Sequence, residues 1–113
     1  MFTVQFNRIY ITRGDSAFLS IELEDREGEP YYPKDSEELI FSLKRDQGDR
    51  DCILQKRFSL ELGIEFLPQD TARLPPGSYI YDVQLYQSKG EESVVLDTVI
   101  APSPFIVMEG ITP

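Results

Sequence analysis

The residues from Phe58 to Phe66 constrain this chain more than any other stretch. Every even position there is apolar, Phe58, Leu60, Leu62, Ile64 and Phe66, while the odd positions carry Ser59, Glu61, Gly63 and Glu65. A helix would smear these two sets around its circumference. An extended chain sends alternate side chains to opposite faces and keeps them apart. The segment therefore reads as β structure with one dry side. Gly63 in its middle marks a bulge or tight bend, so one long strand and two short ones both fit.

The same period recurs along the chain. In "AFLSIELED", Ala17, Leu19, Ile21 and Leu23 form one face, and Phe18, Ser20, Glu22 and Glu24 form the other, as in a strand wet on one side. "DREGEP" ends it with Gly28 and Pro30, both turn formers. "ELIFSLKRD" sets Leu39, Phe41 and Leu43 inward, and "DQGDRD" closes it as a polar turn. "CILQKRF" reads as a strand as well, although Leu54 and Phe58 stand four apart and also fit a helix face.

At the start, Phe2, Val4 and Phe6 are even whereas Ile9 and Ile11 are odd. A register change near Asn7 or Arg8 would produce this, as in a first strand that crosses between sheets through a bulge. Near the end, Tyr79, Tyr81, Val83 and Leu85 share a face, "SKGEE" reverses the chain, and "SVVLDTVI" returns as the second arm of a hairpin. Pro102 and Pro104 then interrupt the chain before "FIVM", which proline confines to a sheet edge or a strand start.

Seven or eight short strands without alternating helices predict an all-β fold, specifically an antiparallel two-sheet immunoglobulin-like β-sandwich. A small closed barrel is the rival architecture. At 113 residues the chain has the length of one domain, residues 1–113.

The stretch "DTARLPPGSYIYDVQLY" fits the corner of such a sandwich. There a tyrosine near the start of the sixth strand bonds through its hydroxyl to upstream backbone, two residues before a core position that holds cysteine in antibodies. Tyr79 takes the corner place, Tyr81 the core place, and Gly77 the bend. Asp70 is set to cap a single helical turn before it. Cys52 is the only cysteine, which rules out an internal disulfide, so packing must close the domain.

The chain has no histidine, which removes Ser-His-Asp and Cys-His catalysis, His-ligated zinc and His proton shuttling. Asp46, Asp49 and Asp51 do not follow the EF-hand order, and Arg45 and Arg50 sit among them, so solvated turns are preferred to calcium sites. Ser42 and Lys44 share a strand face, yet a lysine beside a turn stays solvated and protonated. No phosphate-binding glycine loop is present. The expectation is a non-enzyme without a cofactor.

Twenty acidic against eleven basic residues give a formal charge of -9, a field that repels nucleic acid. No apolar run approaches the ~20 residues of a membrane-spanning helix, and the N-terminal stretch lacks the pattern of a signal peptide. Synthesis in the cytoplasm is the expectation.

Tyr31 and Tyr32, in a loop flanked by prolines, are the aromatic candidates for a contact surface. A wider platform including Tyr79, Tyr81 and Tyr86 fails on parity, because Tyr86 faces away from the other two. A carbohydrate-binding or adhesion module using Tyr31 and Tyr32 is the alternative functional class.

The succession "RGDSAFLSIELEDREGEP", "LIFSLKRD", "GIEFLPQDTARLPPGSYIYDVQLY" and "PFIVMEGIT" resembles the N-terminal domain of phage upper-baseplate proteins and related small prophage tail proteins. The resemblance is carried by Gly14 and Asp15, Asp25 and Gly28, Asp70 and Leu74 before Pro76 and Gly77, and Tyr79 and Asp82. It implies a structural assembly module, virion-associated, whose partners are other tail or baseplate proteins or its own copies. On that reading the apolar end "FIVMEGITP", with Phe105, Ile106 and Met108, docks against a partner or a symmetry mate.

Overall fold

The computed structural model describes the backbone of residues 2–5 and the whole of residues 7–110. The first feature to depart from expectation is the N-terminal parity switch. Strands β1 (Phe2–Gln5) and β2 (Arg8–Thr12) form an antiparallel hairpin, with Phe2 opposite Ile11 and Val4 opposite Ile9. Each pair in that register joins an even position to an odd one, so a turn, and not a bulged strand crossing between sheets, reverses the parity. Asn7 sits in the turn at φ 66°, a left-handed conformation that asparagine tolerates. The side chains of Phe2, Val4 and Phe6 lie outside the described residues.

The remaining elements are β3 (Ala17–Leu19), β4 (Glu37–Lys44), β5 (Leu54–Phe58), β6 (Ile64–Phe66), α1 (Pro68–Ala72), β7 (Gly77–Lys89) and β8 (Glu92–Met108). They form a six-stranded sheet in the order β1-β2-β8-β7-β4-β5 and a two-stranded ribbon of β3 and β6. The fold is all-β. It is not purely antiparallel, because β2 runs parallel to β8, with Ile9–Thr12 beside Phe105–Met108. The second arm of the β1–β2 hairpin runs along β8 in the sense in which β8 itself runs.

Alternation explains the inward set. Leu39, Phe41 and Leu43 of β4, Tyr79, Tyr81, Val83 and Leu85 of β7, Ile9 and Ile11 of β2, and Phe105 and Val107 of β8 are all buried. The ribbon covers this face. The Phe66 ring meets Phe41 edge-on at 5.2 Å and lies 5.8 Å from Phe105, while Phe41 stacks on Tyr81 at 5.4 Å. Such ring pairs add about 0.5–1.5 kcal/mol each beyond their buried area.

The Phe58–Phe66 run divides into two strands. Gly63 has φ 70°, and a Cβ there would lie 2.7 Å from the Leu19 carbonyl oxygen. Between the strands the chain turns through residues 60–62, which leaves Leu62 74% exposed, contrary to its expected inward place. "CILQKRF" resolves to strand. In "AFLSIELED" only Ala17–Leu19 pairs in a ladder, with Ile64–Phe66, yet Leu23 keeps its inward direction and is buried.

Pro102 and Pro104 do not interrupt the last strand. From Glu92 to Pro104, β8 has β7 on one flank and, among the described residues, nothing paired on the other, and β2 joins at Phe105. A proline in such a stretch can direct its missing N–H to the unpaired side.

Candidate functional site

The corner around Tyr79 is held by backbone acceptors. Tyr79 donates its hydroxyl hydrogen to the Pro75 carbonyl, and Tyr81 donates to the Asn7 carbonyl at 2.5 Å. Burial pushes the Tyr81 phenol up to about 12. The Arg45 guanidinium lies 4.8 Å from the centre of the Tyr79 ring, a cation–π contact. Gly77 bends the chain into β7 at φ 148°, and a Cβ there would sit 3.2 Å from Arg45 Nη1.

Asp70 caps α1 from the third helical position, with Leu67 as the N-cap residue. Its carboxylate accepts the Leu67 N–H at 2.8 Å and pairs with Lys56 Nζ at 2.7 Å. Burial alone would raise its pKa. The Lys56 and Leu67 hydrogen bonds, with the charges of Lys56 and Arg73, outweigh that effect and hold the carboxyl below its ordinary value.

Thr71 escaped the sequence reading. It is fully buried, its hydroxyl accepts the Gly14 N–H at 2.9 Å, and it donates to the Asp15 carbonyl at 3.1 Å. With Arg13 Nε on the Ala72 carbonyl at 2.8 Å, these bonds tie the β2–β3 turn to α1. A lone threonine in a polar helical turn carries no pattern that would announce a long-range tether. All these groups hold backbone in place.

Titratable groups gather on the outer face of the six-stranded sheet. A shallow cavity of about 180 Å³ there is lined by Ser42, Lys44, Cys52, Asp82 and Tyr86 among others. Burial raises Asp82, opposed by the Lys44 charge. Burial also raises Tyr86, helped by Asp82 and Cys52. Ser42 and Lys44 are each engaged with another partner: Lys44 donates to the Asp49 carbonyl at 2.8 Å, and Ser42 Oγ accepts from Gln55 at 3.2 Å. The lysine acts as a clamp on its own turn.

Other carboxylates also shape turns. Asp25 accepts the N–H groups of Glu27 and Glu29, both at 3.0 Å, and Asp49 accepts the Asp46 N–H at 3.0 Å. Among the described residues, no three Cys, Asp or Glu side chains converge as metal ligands would.

The candidate contact residues differ in burial. Tyr31 packs against the core and donates its hydroxyl hydrogen to Glu37 at 2.5 Å. That bond raises the Tyr31 phenol, while the Lys34 N–H and the Tyr31 hydroxyl lower Glu37. Tyr32, by contrast, is 75% exposed, and both tyrosines line one groove with Leu60 and Glu61. Phe105 is a core residue with no exposure, and Ile106 and Met108 are half-buried on a strand paired with β2 and β7. The "FIVM" segment is thus built into the sheet and does not project as a free docking end; residues 111–113 of that end lie outside the described residues.

Two exposed apolar groups were absent from the contact candidates. Phe18 and Leu62 lie with Leu67 along a groove beside Gly63, and Val94, Val95 and Leu96 lie on the stretch of β8 that is paired on one flank, with β7, each a little under half exposed. Phe18 did carry a signal, as the lone aromatic on the wet face of "AFLSIELED". Comparison with protein-family models and with curated proteins finds no match for the chain.

Proposed function

We propose that this protein is a non-enzymatic assembly module of a phage or prophage tail-baseplate that acts through protein–protein contacts. The observation that carries the proposal is the concentration of exposed large apolar side chains, Phe18, Tyr32, Leu62 and Val94–Leu96, on loops and incompletely paired strands. Large exposed apolar groups at such places are characteristic of surfaces that meet other proteins. The tyrosine hydroxyls of the corner, in contrast, are engaged with backbone. The net charge of -9 keeps such a module soluble before capture.

The finer architectural reading belongs to the same proposal. An immunoglobulin-like sandwich has a sheet containing neighbouring strands G, F, C and C′ and an opposed sheet containing B and E. The order β8-β7-β4-β5 corresponds to the first and the β3–β6 ribbon to the second, with the tyrosine of β7 at the corner. Adhesion to carbohydrate is the competing reading, and the exposed Tyr32 ring is what favours it.

Isolation of tail particles from an induced host that encodes the chain tests the proposal. The chain should co-sediment with the particles at a fixed stoichiometry by quantitative mass spectrometry. Its absence from them, together with saturable glycan binding lost in Tyr32→Ala, would transfer the assignment to adhesion.

A further inference from the structure

Phe18, Tyr32 and Leu62 are the three most exposed of the large apolar side chains, at 57%, 75% and 74%. They are also contiguous. Phe18 and Leu62 line one groove of about 500 Å³, Leu62 and Tyr32 a second of about 520 Å³, and Tyr32 continues with Leu60 into a third of about 380 Å³. An apolar centre with aromatic anchors inside a polar rim is the anatomy of a protein interface.

The rim has a sign. Carboxylates outnumber cations seven to three among the residues lining these grooves. Two of the cations are already held, Lys56 by Asp70 at 2.7 Å and Arg57 by Glu38 at 3.0 Å. The third groove has Glu22, Glu24 and Glu61 and no cation in its lining.

We infer that this surface is a docking site for a different protein, one that presents an apolar strip flanked by arginine or lysine. A second copy of the chain does not fit. Two-fold pairing places the same patch against itself, which would set the acidic rim against an acidic rim and desolvate like charges. A basic partner neutralises the rim while its apolar strip covers Leu62 and the Phe18 and Tyr32 rings. The inference deepens the assembly reading by naming the partner's chemistry, and rests on that reading only for where the partner is found.

The test is an NMR titration of the full chain with three extended peptides, Ac-LRLRL-NH2, Ac-LQLQL-NH2 and Ac-LELEL-NH2. The arginine peptide should shift the signals of Phe18, Tyr32, Leu60, Glu61 and Leu62 saturably. It should bind at least tenfold more tightly than the glutamate peptide and lose at least tenfold in the Tyr32→Ala, Leu62→Ala double variant. Equal binding of all three peptides, shifts centred on Val94–Leu96 or on the Asp46–Asp51 turn, or no saturable shift would overturn it. A wild-type dimer abolished by Leu62→Lys in sedimentation would overturn the choice of occupant. None of these results depends on tail particles: failure here leaves assembly standing, while absence from particles removes assembly and leaves the site.

Discussion

Replacement of Tyr81 by phenylalanine isolates one tether of the core. The ring is retained, with its 5.4 Å stack on Phe41 and its edge contact to Phe105 at 6.2 Å. The hydroxyl and its bond to the Asn7 carbonyl are lost. A lost hydrogen bond costs about 0.5–1.5 kcal/mol, and up to ~3 if its partner stays buried and unpaired. Asn7 is exposed, so water can reach the freed carbonyl, and the expected cost is about 1 kcal/mol. For a chain of this size that lowers Tm by about 4 °C.

The same substitution changes the alkaline limb of stability. Folding holds the Tyr81 phenol up to about 12 against an ordinary value of 10.0. Above pH 10 the unfolded chain has released this proton while the folded chain keeps it, so the unfolded state binds fewer protons and stability falls as pH rises. The loss from this group reaches about 1.4 kcal/mol at pH 11, which exceeds the cost of removing the hydroxyl. Tyr81→Phe should therefore be less stable than wild type at pH 7 and at least as stable at pH 11, by urea denaturation followed by circular dichroism. An unchanged midpoint at pH 7, or a variant still weaker by 1 kcal/mol at pH 11, would refute the reasoning.

Phe41→Ala should cost about 3–5 kcal/mol in the same assay, because Phe41 touches the rings of Phe66, Tyr81 and Phe105; a loss below 2 would mean that the ribbon does not close on it. Gly77→Ala should cost about 1–3 kcal/mol from its backbone conformation, and should displace Arg45 from the Tyr79 ring, seen as an altered Tyr79 ring shift by NMR. Asp70→Asn should be less stable by about 1 kcal/mol at pH 7. Because the Asp70 pKa is lowered on folding, its contribution is present above its ordinary value and lost as pH falls through the folded one. The gap between Asp70→Asn and wild type should therefore narrow in acid denaturation as pH falls below the ordinary carboxylate range, and a gap that does not narrow would remove the assigned role.

What was legible in the residues is what periodicity encodes. The inward sets of β4 and β7 follow from alternation, and the Tyr79 hydroxyl found upstream backbone as the Pro-Pro-Gly corner required. Strand partners are another matter, since alternation fixes faces but not neighbours. The parity change at Asn7 fits a bulge and a turn equally, and only the β1–β2 pairing distinguishes them. The parallel alignment of β2 with β8 is likewise a matter of pairing that alternation does not encode. Phe105 illustrates the corresponding error at the site. An apolar segment after two prolines is expected at a sheet edge, free to dock, yet β2 pairs beside it and Phe105 is buried. Leu62 errs the other way, because the turn enforced by Gly63 takes it off the core face.

The arrangement of core, corner and open β8 flank depends on β2 lying parallel to β8 from Phe105 onward. Interstrand backbone NOEs on a uniformly labelled sample measure this directly. The account predicts cross-peaks that advance together along both strands, Ile9 with Phe105, Tyr10 with Ile106 and Ile11 with Val107. Cross-peaks that run in opposite directions, or that join Arg8–Thr12 to a different strand, would contradict it.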